Sequence, residues 1–143
     1  MKSRTSPTRR LKVADLTRPG LAAVGQGDRL ADVARRMRGD RTGAAVVMEA
    51  GRLAGIITER DLMAAVADGV DPGRVLAAER MTPAPRTIAH DDLATRAAEL
   101  MIELGVRHLP VVDHGDVVGV ISARDLLRLG RPKPLEELAY EPW

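Results

Sequence analysis

The side chains most suited to ligand chemistry occur as two hydroxyl–carboxylate pairs, Thr58 with Asp61 and Ser122 with Asp125. Each pair follows a β-rich run and opens a segment of helical pattern. One interpretation is a capping box, which stabilises a helix start by about 1 kcal/mol with no ligand. The other is a nucleotide site, because a helix N-terminus attracts phosphate and a carboxylate can accept from both ribose hydroxyls. A single copy would favour capping alone.

The pairs belong to a longer internal repeat. The stretch at 51–62 returns at 115–126, 64 positions later, with a glycine, a hydroxyl residue and an Arg-Asp dipeptide in the same places. Arg60 and Arg124 precede the two acids. A cation in the first turn opposes the helix dipole, so its presence favours an anionic partner. Two copies in register favour the nucleotide interpretation over capping alone.

A weaker similarity lies upstream, where Asp28 corresponds to Asp91, now 63 positions apart. This offset predicts that the first copy is one residue shorter between its helix and the following strand. Both acids are predicted N-caps, of helices that run to about Arg38 and Leu104.

The coarse secondary structure is the same in each copy. Short β-rich runs predict strands at 44–48 and 53–57, and again at 109–112 and 117–121, each pair joined by a hairpin turn. A second helix is predicted to open at Thr58 and at Ser122. The predicted class is therefore α/β (α+β), with the order β-α-β-β-α occurring twice. Neither copy alone would bury much surface, so we expect the two to pack pseudo-symmetrically around a cleft.

The predicted organisation has five parts. They are a disordered basic arm at 1–11, a first repeat at 12–68, a linker at 69–77, a second repeat at 78–129 and a Pro-containing tail at 130–143.

Composition excludes several classes of site and location. There is no Cys, which removes disulfides, thiolate nucleophiles and cysteine zinc sites. Aromatic residues make up 1% of the chain, so the core must be aliphatic. No apolar run approaches the ~20 residues of a membrane span, and no signal-peptide pattern follows the basic start. We expect a cytoplasmic protein that makes no membrane contact.

The net charge of +2 is unevenly distributed. Five of the 22 Lys and Arg residues lie in the first twelve positions, which leaves 17 against 20 Asp and Glu. A short basic arm of this composition is more often a disordered tail than a nucleic-acid grip, so we expect no nucleic-acid partner.

The paired motifs, together with the run at 109–113, resemble tandem CBS (cystathionine β-synthase) domains over about residues 12–129. The resemblance implies a stand-alone two-repeat Bateman module that requires no cofactor. Its regulatory ligand would be an adenosine compound, AMP, ADP, ATP, NAD or S-adenosylmethionine, with Mg²⁺ as a companion of the phosphates. It implies that Thr58 and Asp61 hold one ribose, and that Ser122 and Asp125 hold the other.

The same resemblance implies ligand contacts for three further pairs of residues. Val24 with Gly25, and Thr87 with Ile88, are similar to the segments that contact adenine in this family. Arg107 and His108 resemble the basic pair that meets phosphate, here in reversed order. The first copy has Gly43 and Ala44 at that place, so the resemblance supplies no cation for phosphate there.

Nothing in the sequence indicates an enzyme. There is no P-loop, no G-x-S-x-G, no H-E-x-x-H and no Gly-rich dinucleotide motif. Two hypotheses remain. One is a sensor that signals through a homodimer or a separate effector protein; the other is a ligand-free dimeric scaffold in which the motifs only cap helices. The scaffold interface would use the helical faces that carry Met37, Met63, Met101 and Leu104.

Overall fold

The computed structural model describes residues 10–130; the predicted tail and most of the predicted arm lie outside this range. The predicted order β-α-β-β-α is confirmed in both repeats. The first comprises β1 (Ala23–Gly25), α2 (Leu30–Gly39), β2 (Ala44–Glu49), β3 (Arg52–Thr58) and α3 (Glu59–Ala67). The second comprises β5 (Ile88–Ala89), α5 (Ala94–Leu104), β6 (His108–Asp113), β7 (Asp116–Ser122) and α6 (Ala123–Leu126), followed by a 3-10 turn at Leu127–Gly130. Two short helices, α1 (Val13–Leu16) and α4 (Ala77–Arg80), precede the repeats, and β4 (Thr82–Pro83) follows α4.

The strands form two sheets, one in the order β1-β2-β3-β4 and the other in the order β5-β6-β7. The two predicted hairpins, β2 with β3 and β6 with β7, are antiparallel. Their turn residues, Ala50–Gly51 and His114–Gly115, all have positive φ. Both central residues of a type I′ turn require this conformation, so the hairpins are tightly closed. Within residues 10–130, no helix is long and apolar enough to span a membrane.

The short helices are exchanged between the two cores. Val13 and Leu16 of α1 are buried with the apolar residues of the second repeat, whereas Ala77 of α4 is buried with those of the first. The main chain follows the same exchange, since the Val13 amide donates to the Asp92 carbonyl (2.8 Å) and the Ala77 amide to the Asp28 carbonyl (2.7 Å). The two repeats therefore hold each other together.

The predicted N-caps are wrong. The N-cap positions are Arg29 and Leu93, not Asp28 and Asp91. The carboxylate of Asp28 instead accepts from the Gly25 amide at 2.8 Å and closes the preceding turn. The amides that open α2 and α5 are satisfied by the exchanged segments, with Leu30 N donating to the Val75 carbonyl and Ala94 N to that of Leu11. These helices therefore begin against main chain that is distant in sequence and lies just before each short helix.

The predicted length difference between the repeats is also wrong. In the second repeat Asp92, not Asp91, takes the place of Asp28, because its carboxylate accepts from the Ala89 amide at 3.3 Å. The helix starts Leu30 and Ala94, and the strand starts Ala44 and His108, are both 64 positions apart. The repeat therefore runs with one constant offset.

The glycine that precedes each hydroxyl residue makes room for an exchanged segment. A Cβ on Gly55 would lie 2.5 Å from Met81 Sδ and 2.8 Å from the Thr82 carbonyl oxygen. A Cβ on Gly119 would lie 2.7 Å from Thr17 Cγ2. We name residues 12–22 the first leading segment and residues 76–86 the second. The motif glycines thus let each leading segment lie directly across the other repeat.

Candidate functional site

The second motif forms a compact cap on α6. The main-chain amide and the hydroxyl of Ser122 both donate to Oδ2 of Asp125, at 2.8 and 2.9 Å. The Asp125 amide donates to the Ser122 hydroxyl at 3.1 Å. Asp125 is only 4% exposed. This geometry is the reciprocal capping box that the sequence predicts, and it fixes the orientation of the carboxylate.

The first motif has a similar but more open geometry. The Thr58 amide donates to Oδ2 of Asp61 at 2.9 Å, and the Thr58 hydroxyl donates to the same oxygen at 3.2 Å. Asp61 is half-buried. Both predicted helix starts are confirmed, with α3 beginning at Glu59 and α6 at Ala123.

A cavity of about 1190 Å³ lies beside the second motif. Ser122, Asp125 and Arg124 line it together with Arg107 and His108. The first leading segment contributes residues 18–22, and the first repeat contributes the end of α2 and the start of β2. Side chains from both repeats therefore meet in one cleft, as the sequence predicts.

One buried atom in this cleft lacks a hydrogen bond. Oδ1 of Asp125 is shielded from solvent and has no hydrogen-bond partner. Its charge partner is Arg18, whose Nε lies 3.6 Å away, beyond good hydrogen-bonding distance. Buried carboxylate oxygens are normally satisfied, because desolvation without a partner is costly. The oxygen can accept from a ligand that enters the cleft.

The main-chain amides at the start of α6 are largely occupied. The Ala123 amide donates to the Arg107 carbonyl at 2.8 Å, and the Asp125 amide is held by Ser122. The helix has only four residues, so its dipole is small. These occupied amides and the short helix give little support to phosphate recognition by this helix start, which the motif alone indicates.

His108 is half-buried and lines the cleft. Burial lowers the pKa of His108 below its ordinary value; the carboxylates of Glu59 and Asp125 oppose this shift, and Arg107 adds to it. A Cβ on Gly43 would lie 3.1 Å from the imidazole Nε2. Gly43, the counterpart of Arg107 in the first repeat, thus leaves space for this ring.

Several residues predicted from the resemblance lie elsewhere. Val24 and Ile88 are buried in the two cores and do not line the cleft. Thr87 and Arg60 are exposed, and neither lines the cleft. The first leading segment, by contrast, does line the cleft, and its lining residues include Leu21 and Ala22.

The sequence reasoning missed the basic residues of the first repeat. Arg36, Arg38 and Arg41 all line the cleft, although they precede the second motif by more than eighty positions. Their signal in the sequence is only a cluster of arginines near the end of α2. Among the described residues, no group of three or more His, Cys, Asp or Glu side chains could hold a metal ion.

The sequence model of the family "CBS domain" matches residues 13–68 and again residues 76–131. A curated relative from Bacillus subtilis, "CBS domain-containing protein YhcV", is 30% identical over 119 residues, which cover 80% of this chain and 81% of the relative. An uncharacterised protein of Methanopyrus kandleri, MK0525, is 31% identical over 85% of this chain. The chain spans 63% of that protein and 19% of a plant relative, CBSCBSPB2 of Arabidopsis thaliana.

Solved structures show the same architecture. The chain superposes on a CBS domain protein of Pyrobaculum aerophilum, PAE2072, with a TM-score of 0.74 and 30% identity, covering 84% of this chain and 98% of that one. That protein was solved in complex with AMP. The CBS domain structure of NE2398 superposes with a TM-score of 0.77 and 30% identity, covering 82% and 95%.

Proposed function

The chain belongs to the CBS-domain family as a tandem pair of repeats, and on that premise we propose that it is a non-enzymatic sensor of an adenosine nucleotide. The proposed site is the cleft beside Ser122 and Asp125. The observation that carries the proposal is the buried Oδ1 of Asp125, which has no hydrogen-bond partner.

The cleft has features that suit each part of a nucleotide. The ribose hydroxyls would donate to Asp125 Oδ1, whose orientation is fixed by the cap bonds from Ser122. Leu21 and Ala22 offer an apolar wall for the base, in place of the predicted Val24. Arg107, His108 and Arg124 offer positive or neutral donors for phosphate. The cavity is large enough for such a ligand, since small-molecule sites usually span about 300 to 1,000 Å³.

The AMP complex of the Pyrobaculum protein supports an adenosine ligand, because that protein shares both the repeat architecture and 30% of its residues with this chain. Mg²⁺ remains a companion that would arrive with the phosphates, since the described residues hold no metal cluster of their own. Thr58 and Asp61, with Arg60 beside them in the chain, remain a second proposed ligand site at the first motif. Thr87 remains a proposed contact of the base.

Titration calorimetry on the full chain tests the proposal with AMP, ATP, NAD and S-adenosylmethionine. We expect saturable binding of an adenine nucleotide, weakened by about tenfold or more in Asp125→Ala. Asp116→Ala is the matched control, which removes an exposed carboxylate outside the cleft and which we expect to leave this affinity unchanged. Asp125→Asn retains an oxygen for the Ser122 donors and keeps the test valid if the alanine variant is unstable. No binding by any of the four compounds would contradict the proposal.

The dimeric scaffold is the second candidate, and exposed apolar side chains favour it. Met63 and Val66, one turn apart on α3, are 66% and 77% exposed, and Ile102 of α5 is 82% exposed. Two residues predicted for the interface, Met37 and Met101, are instead buried in the cores. Light scattering separates the candidates, because a scaffold dimerises without ligand and Val66→Asp should then give a monomer.

A further inference from the structure

The cleft carries far more positive than negative charge. Six arginines line it, against three acids; the arginines are Arg18, Arg36, Arg38, Arg41, Arg107 and Arg124, and the acids are Asp40, Glu59 and Asp125. Such an excess in a concave site raises the local potential and concentrates anions. The first repeat supplies half of the arginines, although the ribose carboxylate belongs to the second.

Most of these arginines have no anionic partner. Arg36 is paired with Asp40 at 2.7 Å, and Arg18 faces Asp125 at 3.6 Å. Within residues 10–130, none of the other four makes an ion pair. Arg41 also has a positive φ of 53°, which a non-glycine residue adopts at a small energetic cost. A short segment at the end of α2 thus places two free guanidinium groups, Arg38 and Arg41, on the cleft.

We infer that Arg38 and Arg41 form a polyphosphate-binding arm, so that the cleft selects a nucleoside di- or triphosphate over AMP and over uncharged adenosine compounds. This inference rests on the proposed function and specifies the ligand class for the same site. The ribose lies on Asp125 of the second repeat, and the phosphate tail extends to the arginines of the first.

The charges set the expected selectivity. A sulfonium ligand such as S-adenosylmethionine adds positive charge to a site that already has an excess of three cations, so it is disfavoured. AMP offers one phosphate group, which Arg107 and Arg124 of the second repeat can neutralise. Only a longer tail brings anionic oxygens toward the first repeat, where each guanidinium can donate a charge-assisted hydrogen bond. The ligand would then bridge the two repeats.

Titration calorimetry of the full chain with ATP, AMP and inorganic triphosphate tests this inference on the wild type and on Arg38→Ala/Arg41→Ala. The matched control is Arg35→Ala/Arg52→Ala, which removes the same charge outside the cleft; Arg35 lies on α2 and pairs with Asp32. We expect ATP to bind about tenfold or more tightly than AMP. The cleft double variant should lose about tenfold in ATP affinity and less than about threefold in AMP affinity.

The outcomes distinguish the two proposals. If AMP and ATP bind with equal affinity and neither is affected by Arg38→Ala/Arg41→Ala, the polyphosphate arm is overturned while the nucleotide sensor stands. If neither nucleotide binds, the proposed function itself fails. If inorganic triphosphate binds as tightly as ATP, the cleft recognises phosphate chains without the nucleoside, and the assigned ligand class is overturned.

Discussion

Arg18 and Asp125 form an ion pair in which Nε of Arg18 lies 3.6 Å from Oδ1 of Asp125. The contact joins the first leading segment to the last helix of the second repeat. We expect a ribose that bonds to this oxygen to move Arg18 away from it, and Arg18 lies two residues after α1, which is packed in the core of the second repeat. The contact gives the proposed sensor a route from the ligand to the N-terminal helix.

Replacing Arg18 by alanine should therefore strengthen the binding of an uncharged ligand. We expect Arg18→Ala to bind adenosine about threefold more tightly than the wild type, because no guanidinium has to leave the carboxylate and a half-exposed ion pair has a small energy. Adenosine is the suitable probe because it has no phosphate for Arg18 to attract. Competition calorimetry measures the change, with Arg96→Ala as the control. Weaker adenosine binding would mean that Arg18 contacts the ligand itself.

His108 should make stability pH-dependent. Because the folded-state pKa is lowered, the unfolded chain binds a proton first as pH falls below about 6.5. The free energy of unfolding should then fall from pH 7.5 toward 5.5, by at most about 1.4 kcal/mol per pH unit, the limit for one proton. Urea denaturation across this range measures it, and His108→Gln should fall less steeply. If the free energy of unfolding has the same pH dependence in the wild type and in His108→Gln, the pKa of His108 is not lowered by burial.

The motif glycines should tolerate no side chain. We expect Gly55→Ala to lower the free energy of unfolding by about 1–3 kcal/mol, because the Cβ of the alanine would clash with main chain of the second leading segment. Gly119→Ala should cost less, since its close contact is the methyl group of Thr17. Gly39→Ala, which meets nothing within 4 Å, should be neutral or stabilising. Thermal and urea unfolding measure the stability of the three variants. Equal losses of stability would show that the close approach of the leading segments is not the cause.

The exchanged helix should stabilise the repeat that it contacts. Leu16→Ala should lower the free energy of unfolding by about 2–5 kcal/mol, because Leu16 is fully buried among second-repeat residues. Met63→Ala, at an exposed position, should stay within about 0.5 kcal/mol of the wild type. Hydrogen exchange should show the greater loss of protection in β5–β7. A greater loss of protection in β1–β3 would contradict the packing of α1 in the core of the second repeat.

The sequence predicts the repeat, the hairpins and the motif caps because each depends on residues close together in the chain. Ala50 with Gly51, and His114 with Gly115, are turn signals that act locally. The sequence misplaces the N-caps before Leu30 and Ala94, because the amides of these two residues bond to carbonyls that are distant in the chain, which no local pattern reveals.

The same limit applies to the candidate site. Asp125 could be found from its motif, but its unpartnered oxygen depends on burial that only tertiary packing creates. Arg38 and Arg41 resemble ordinary exposed cations in the sequence. Their position on the cleft follows from packing between the repeats, and therefore could not be read from spacing. Val24 is buried in the core of the first repeat, whereas residues 18–22 before it line the cleft.

The most direct measurement compares AMP with 2′,3′-dideoxy-AMP, by calorimetry, on the wild type and on Asp125→Asn. Asparagine keeps an oxygen for the Ser122 donors but replaces the acceptor at Oδ1 with a donor. Loss of the ribose hydroxyls should weaken wild-type binding by about tenfold and Asp125→Asn binding by less than about twofold, because the interacting pair is already broken. An equal loss in both proteins would show that Asp125 does not hold the ribose, and would contradict the proposed site.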